Sequence, residues 1–181
     1  MLLYSNHHYF CVTLRKNLRK MELQEKIKQD GIALGMCEKY RDNWGEPDIR
    51  DLCRFFHAGQ DFCIEHNFPK LELLQEYSND IARYGIWAKD GKSVNQPHVV
   101  SVGSSIVTVE TSIATSIYAR HNSTVELVLN EGAHCYISAL DDCKVIVVSK
   151  HPNSRLCMSY WSGKVIGEEY FDKINYKLDK K

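Results

Sequence analysis

The sequence has few of the features that identify a catalytic, membrane or nucleic-acid-binding protein. It has only four prolines and no net charge, because 23 Lys and Arg residues balance 23 Asp and Glu residues. No apolar run approaches the roughly 18 residues of a membrane span, and a neutral chain lacks the general attraction to nucleic acid of a basic protein. Glycine-rich phosphate loops, nucleophile elbows and paired-histidine zinc motifs are missing from it. These absences favour a non-enzymatic protein without a cofactor, and they argue against a membrane or nucleic acid as partner.

The zero net charge is the sum of three dissimilar segments. Residues 1–20 contain four basic residues and no acid, residues 21–96 contain ten basic and fourteen acidic residues, and residues 97–181 contain nine of each. We interpret the three segments as a basic, frayed arm, a helical head and a β-repeat domain. In the arm, His7 and His8 interrupt the apolar stretch and the charges follow it, which is not the order of a secretory signal. We therefore expect a cytoplasmic protein.

The seven cysteines are odd in number and lie in apolar or alternating contexts, so we expect reduced thiols that behave as small apolar side chains. Four residues nevertheless form a C-x3-H-x5-C-x2-H pattern with two Cys and two His, a donor set that suits Zn²⁺: Cys53, His57, Cys63 and His66. The alternative is ordinary packing, which the strong tendency of cysteine to be buried favours.

Residues 21–86 have helical spacing. A breaker cluster at residues 43–47 precedes Asp48, which is expected to cap the next helix, and a longer helix is predicted over residues 71–84. Short helices, a turn and a longer helix also suggest a helix-turn-helix, and hence a DNA-binding regulator as the alternative function. Its recognition face would carry the acids Glu72 and Glu76, which would meet phosphate badly.

Beyond residue 97 the helical spacing gives way to alternation with β-branched residues. Six units each have a small or polar leading residue and apolar residues at the second and fourth following positions. They begin at Ser105, Thr115, Ser123, Ala133, Cys143 and Ser154. Successive starts are 10, 8, 10, 10 and 11 residues apart, which indicates a degenerate internal repeat.

Two architectures can use this repeat. In an antiparallel β-sandwich each unit is a strand followed by a hairpin turn. In a parallel β-solenoid two units make one rung of 18 to 21 residues, for example from 115 to 133. The Asn-Gly and Asp-Gly pairs of two-residue hairpins are missing between the units, and the inward positions contain no aromatic residue. The sequence therefore predicts an α+β protein with a small N-terminal helical bundle and a short, β-helix-like solenoid of about three rungs.

A short helical segment containing residues 61–69 and Tyr84-Gly85-Ile86 precedes a tail containing Arg120-His121-Asn122-Ser123. In this pairing the chain resembles a group of functionally uncharacterised proteins from gut Bacteroidetes genomes and their phages or mobile elements. The similarity covers roughly residues 45–150, and it implies a helical head joined to a repetitive β tail. It assigns no catalytic or binding residue.

No group of residues converges on a catalytic site. The Asp141-Asp142 pair is typical of a turn, and His121 and His134 lie beside the turn formers Asn122 and Gly132. Aromatic residue types common at contact surfaces recur in the β-repeat domain at Tyr118, Tyr136, Tyr160 and Trp161. They indicate either an interaction surface or packing within the chain. We therefore expect a structural or protein-interaction protein that binds a protein partner or self-associates through its β region.

Overall fold

The structure of the protein, a computed structural model, describes residues 22–174. The arm predicted at residues 1–20 lies outside the described residues. The chain divides into two compact units between Lys70 and Leu71. The first unit is helical, and the second combines short helices with parallel strands. These features confirm the predicted α+β class. Among residues 22–174, no helix has both the length and the apolar character needed to cross a bilayer.

The first unit is a small helical bundle. Its described helices are α1 (22–33), α2 (Glu38–Asp42), α3 (Ile49–Ala58) and α4 (Gln60–His66). The cap predicted for α3 is present, because the Asp48 carboxylate accepts the Asp51 N–H at 2.9 Å. The Asp51 carboxylate accepts the Asp48 N–H in return. This reciprocal pair satisfies backbone donors at the start of the helix and fixes where it begins.

Aromatic side chains and two cysteines fill the core of the bundle. The Phe55 ring lies 6.0 Å from the Tyr40 ring and 5.6 Å from the Trp44 ring, measured between centroids. Cys53 and Cys63 are buried in the same unit. A core of this composition stabilises a short bundle through the large area that each aromatic ring buries.

The second unit begins with short helices. They are α5 (Leu71–Glu76), α6 (Ser78–Ile81) and a 3-10 turn over Ala82–Tyr84. The continuous helix predicted over residues 71–84 is therefore wrong. The break falls at Tyr77, which caps α6 and is followed by Ser78, Asn79 and Asp80. Such residues hydrogen-bond to nearby backbone in non-helical conformations, which favours caps and turns over a helix interior.

The strands of the second unit form two parallel sheets. They are β1 (Ile86–Trp87), β2 (Gly91–Val94), β3 (His98–Ser101), β4 (Ile106–Thr111), β5 (Ala114–Ala119), β6 (Thr124–Leu129), β7 (His134–Ala139), β8 (Lys144–Lys150), β9 (Arg155–Trp161), β10 (Lys164–Ile166) and β11 (Lys173–Ile174). Sheet A has the order β1-β3-β5-β7-β9-β11, and sheet B has the order β10-β8-β6-β4-β2.

Consecutive strands therefore alternate between the sheets, and each described strand pair is parallel. This topology is a β-solenoid, as predicted, and it excludes the antiparallel sandwich. The solenoid has about four turns rather than three. The five additional strands are too short to show the six-unit pattern, because β1 and β11 contribute two residues each, β10 three, and β2 and β3 four each.

The predicted inward positions form the solenoid core. The six repeat units coincide with β4 to β9. All twelve predicted inward residues are buried: Val107, Val109, Ile117, Ala119, Val125, Leu127, Cys135, Ile137, Val145, Val147, Leu156 and Met158. The six leading residues are buried as well; five of them directly precede their strands, and Thr115 lies within β5. The period of two thus identified the core face of every unit correctly.

The pairing of β5 with β7 differs from the predicted rung. The prediction aligned Thr115 with Ala133, whereas the structure aligns Thr115 with Cys135 and Ile117 with Ile137. The corner between β4 and β5 is two residues shorter than the corner between β6 and β7. The repeat unit that contains β5 therefore begins two residues before Thr115, the small residue that the prediction took as its start. A shift of two residues keeps every side chain on the same face, and the inward set was therefore predicted correctly despite the wrong register.

Aromatic rings lie against the two ends of the aliphatic core. Trp87 of β1 packs against the core in the first turn, and Trp161 and Phe171 pack against it in the last turns, together with Val165. The interior rows between them are aliphatic, as predicted, but the terminal turns are not. These partly buried rings cover apolar ends that a stacked core would otherwise expose to water.

Replacing Ile137 with alanine tests the core. Ile137 is fully buried, so Ile137→Ala should lower the free energy of unfolding by about 2–5 kcal/mol, measured by urea denaturation. The matched control is Tyr136→Ala, one residue earlier on the outward face of the same strand, with an expected loss below about 0.5 kcal/mol. Equal losses in the two variants would contradict the assignment of faces.

The last turn is held by Asp172. Its carboxylate accepts the Leu156 N–H at 2.7 Å and lies 3.1 Å from the Lys150 ammonium. The Asp172 N–H donates to the Leu156 carbonyl at 2.8 Å. Burial alone would raise the pKa of this carboxyl, but the Leu156 hydrogen bond and the Lys150 charge outweigh burial and lower the pKa. The ionised form therefore stabilises the folded chain.

Asp172→Ala should lower the free energy of unfolding by about 1 kcal/mol at pH 7. A carboxyl whose pKa is lowered on folding stabilises the protein above the unfolded-state value of about 3.9, and that contribution is lost as the pH falls through the folded value. The difference between wild type and variant, measured by urea denaturation, should therefore shrink from pH 7 to pH 3. The control is Glu168→Ala, at an exposed carboxylate of the same segment, whose effect on the free energy of unfolding should not depend on pH in this way. A loss of unfolding free energy in Asp172→Ala that is the same at pH 7 and pH 3 would contradict the account.

Candidate functional site

Polar side chains gather at the corner of the solenoid where the chain passes from sheet A to sheet B. Three successive turns place a residue with positive φ here: Gly103 at 72°, His121 at 62° and Asp141 at 57°. We call these residues and Ser162 the corner ladder. Glycine adopts this conformation without strain, and His and Asp are among the few other residues that tolerate it. The predictions that His121 and the Asp141-Asp142 pair lie in turns are confirmed.

Hydrogen bonds connect one rung of the corner ladder to the next. The Gly103 N–H donates to His121 Nδ1 at 3.2 Å, and the His121 N–H donates to Asp141 Oδ2 at 3.2 Å. The Asp141 N–H then donates to Ser162 Oγ at 3.0 Å. Each turn thus supplies a side-chain acceptor for a backbone donor of the turn before it, at a corner where strand pairing has ended.

An ion pair reinforces the ladder. Arg120 Nε donates to Asp141 Oδ2 at 2.8 Å, and a second guanidinium nitrogen of Arg120 donates to the Tyr118 hydroxyl at 3.3 Å. The Arg120 side chain is mostly buried, so this charge needs the nearby carboxylate. The same Asp141 oxygen therefore accepts from both Arg120 and the His121 N–H.

The electrostatics of His121 favour its neutral form. Burial lowers the pKa of the imidazole and Arg120 lowers it further, against the opposing charges of Asp141 and Glu72. A neutral ring protonated at Nε2 leaves Nδ1 able to accept the Gly103 hydrogen bond. The geometry therefore commits His121 Nδ1 and Asp141 Oδ2 to hydrogen bonds that hold the corner together.

The four residues of the Cys/His pattern do not assemble a metal centre. Among residues 22–174, no group of three or more His, Cys, Asp or Glu side chains is arranged to hold a metal ion. Burial raises the pKa of the Cys63 thiol to about 12, which favours the protonated form over the thiolate that zinc binds. His66 lies with its ring 4.5 Å from the Phe62 ring, and Cys53 is part of the buried core. The geometry places these side chains in the packing of the bundle.

The four predicted surface aromatics have different environments. Tyr118 is only 3% exposed, which favours packing within the chain over a contact surface for this residue. It lies in register with Val100 and Ile86, and this outward row of sheet A is buried. Trp161 packs against the core, and its indole N–H donates to the Gly163 carbonyl at 2.6 Å. Tyr136 is 52% exposed, and the side chain of Tyr160 lies outside what the structure describes.

A second candidate site is the outward face of sheet B, which the sequence reasoning missed. Val148 is 59% exposed and Ile166 is 48% exposed, and Ile146 and Val128 are partly exposed beside them. We call these four residues the sheet-B patch. The available signal was Val145-Ile146-Val147-Val148, which is apolar at four consecutive positions. The solenoid core explains only the inward half of this run, Val145 and Val147. Strands that are apolar at every position are typical of sheets covered on both faces.

The segment predicted to be a recognition helix belongs to the second unit. The corresponding helix, α5, has six residues and begins at Leu71. A Cβ built at Gly103 would lie 3.2 Å from a Leu71 methyl group, so α5 lies against the first corner of the solenoid. Glu72 and Glu76 are exposed on it. DNA binding remains a prediction, and the contacts of α5 do not support it.

Comparisons of the chain with protein-family models, with curated proteins and with solved structures find no match.

The pH dependence of stability tests the corner ladder. A histidine whose pKa is lowered on folding stabilises the protein fully above its unfolded-state value of about 6.5, and that stability is lost as the pH falls toward the folded value. His121→Asn removes the titrating group but tolerates the positive φ. The decrease in unfolding midpoint between pH 7.5 and pH 5, measured in urea, should therefore be smaller in this variant. Asn122→Ala, which changes the same corner and keeps His121, should retain the wild-type decrease; identical profiles for wild type and His121→Asn would contradict the assignment.

Proposed function

We propose that the protein is a non-enzymatic interaction protein that self-associates through its β-solenoid. The observation that carries this proposal is the exposure of large apolar side chains at outward strand positions, where strands of a solenoid that faces water normally present polar residues. They are Val94, Ile106, Tyr136, Val148 and Ile166. Contiguous exposed apolar area is typical of contact surfaces.

The ends of the solenoid favour association through a face rather than by stacking end to end. The described edge strands are short, with two residues in β1 and in β11, three in β10 and four in β2. Short edges and edge lysines, here Lys164 and Lys173, oppose pairing with another chain. The aromatic rings at both ends also shield the core rows on which a further turn would stack.

The polar groups support a non-enzymatic role. The corner ladder contains His121 and Asp141, whose Nδ1 and Oδ2 atoms already accept backbone or guanidinium donors. A catalytic base needs an acceptor that can reach a substrate proton. We therefore assign the ladder to stability and the faces of the sheets to binding.

We also propose a cytoplasmic setting and an association with a phage or mobile element. The cysteines support the first, because Cys37, Cys63, Cys135, Cys143 and Cys157 form no disulfide in the described part of the chain. Reduced thiols are the rule in the cytosol. The second rests on the resemblance of the helical head and repetitive tail to proteins of those genomes.

Light scattering coupled to size-exclusion chromatography tests self-association of the full chain. A single chain has a mass of 20.9 kDa, and the weight-average mass should rise above this value toward twice it as the concentration increases. Reducing agent is present throughout, so that disulfide formation between chains does not contribute. A mass of 20.9 kDa at all concentrations would contradict the proposed function.

A further inference from the structure

We infer that two copies of the chain pair through the sheet-B patch, and this inference rests on the proposed self-association. The patch comprises Val128, Ile146, Val148 and Ile166, which lie on the outward positions of three neighbouring strands, β6, β8 and β10. The occupant is a second copy of the same chain.

The strand register assembles the patch. Ile146 pairs with Ile166 on one side and with Glu126 on the other. The register between β6 and β8 shifts after Leu127, so that Val128 pairs with Ser149 and not with Val148. The shift adds one residue to β8 and leaves Val148 as the most exposed of the large apolar side chains described. An irregularity of this kind redirects a side chain without breaking the sheet.

The two sheets differ in what covers their outward apolar residues. In sheet A the outward row Ile86, Val100 and Tyr118 is buried within the protein. In sheet B the corresponding apolar side chains remain accessible, although β8 has the continuous apolar run of a strand that is covered on both faces. The inward half of the run, Val145 and Val147, lies in the solenoid core. Among residues 22–174 the outward half stays accessible: Val148 is 59% exposed and Ile146 is partly exposed.

Charges beside the patch favour a second copy as that cover. Lys144 and Lys164 are neighbours in register on the border where β8 and β10 begin, both are exposed, and neither forms an ion pair with a described residue. Glu126 borders the patch beside Ile146. Its carboxylate accepts from the Thr108 hydroxyl at 3.0 Å and forms no ion pair within the described part of the chain.

One surface thus carries unpaired charges of both signs around an apolar centre. A copy related by a two-fold axis parallel to the strands would bring the lysine border of each chain toward Glu126 of the other. Because a two-fold interface uses the same patch twice, each such contact occurs twice. This self-complementarity is what a second copy requires, and a partner of another kind would not need it.

The size of the surface limits the affinity. Strands spaced ~4.8 Å apart that rise ~3.3 Å per residue give a flat face of at most about 15 by 20 Å, because β10 contributes only three residues beside β6 and β8. This is below the roughly 800 Å² per partner of a standard stable interface, even allowing for the relief of the side chains. We therefore expect a reversible dimer with a dissociation constant in the range of roughly 1–100 μM.

Val148→Lys tests the patch by placing a charge in its centre. It should weaken the dimer at least about tenfold in sedimentation equilibrium of the full chain, because pairing would bury an unpaired ammonium. Val94→Lys is the matched control: it makes the same substitution at an outward position of sheet B that is 52% exposed, but on β2, three strands away. It should leave the dimer unchanged. Circular dichroism and the unfolding midpoint verify that both variants fold.

A charge exchange provides a second test that does not disturb the apolar centre. Glu126→Lys should weaken the dimer, and adding Lys144→Glu and Lys164→Glu to the same chain should restore it. Dimers that persist in Val148→Lys and Glu126→Lys would overturn the sheet-B assignment while leaving self-association intact. A monomeric wild type would instead overturn both proposals, and loss of the dimer in Tyr136→Lys alone would place the interface on sheet A.

Discussion

The structure depends on the stacking of small and medium-sized aliphatic side chains in register, one turn of the solenoid above the next. Parallel pairing places Val107 beside Val125, and Val125 beside Val145, so each turn covers the apolar row of its neighbour. A single turn cannot bury its own inward face, and stability therefore requires several turns and a cover at each end. The corners, the aromatic ends and the exposed outward face all follow from this requirement.

At the corners, strand pairing stops and backbone donors need other acceptors. The corner ladder supplies them from His121, Asp141 and Ser162, one turn after another. His121 and Asp141 are residue types that often occur in catalytic sites. Here their side chains accept hydrogen bonds from backbone N–H groups. At the ends, Trp87 and Phe171 shield the core with rings that the narrow interior could not hold. Val148 and Ile166 leave apolar surface on the outward side of sheet B, and that is where we place the contact between chains.

The sequence predicted the solenoid and its inward residues because apolar residues recur at every second position of each strand. This pattern is local, and it is retained although the residue types differ from one unit to the next. The sequence did not predict the register of β5 against β7, because Thr115 resembles a leading residue although the corner before it is short. It left the environment of Tyr118 open, since alternation says which side chains point outward and not whether other residues bury that side. The corner ladder depends on bonds between residues about 20 positions apart, and the sheet-B patch depends on a register shift. The ladder bonds are not visible in local spacing, and the apolar run at residues 145–148 does not show which of its side chains stay exposed.

The central claim is that two copies meet through sheet B with lysine facing glutamate. Zero-length coupling of carboxylates to amines, in a mixture of isotopically heavy and light chains, tests it most directly because a bond forms only between groups in contact. The account predicts mixed-isotope peptides that join Lys144 or Lys164 of one chain to Glu126 of the other, at a yield that rises with concentration. Mixed-isotope links confined to other parts of the chain, such as Lys173 of the terminal strand β11, would contradict it.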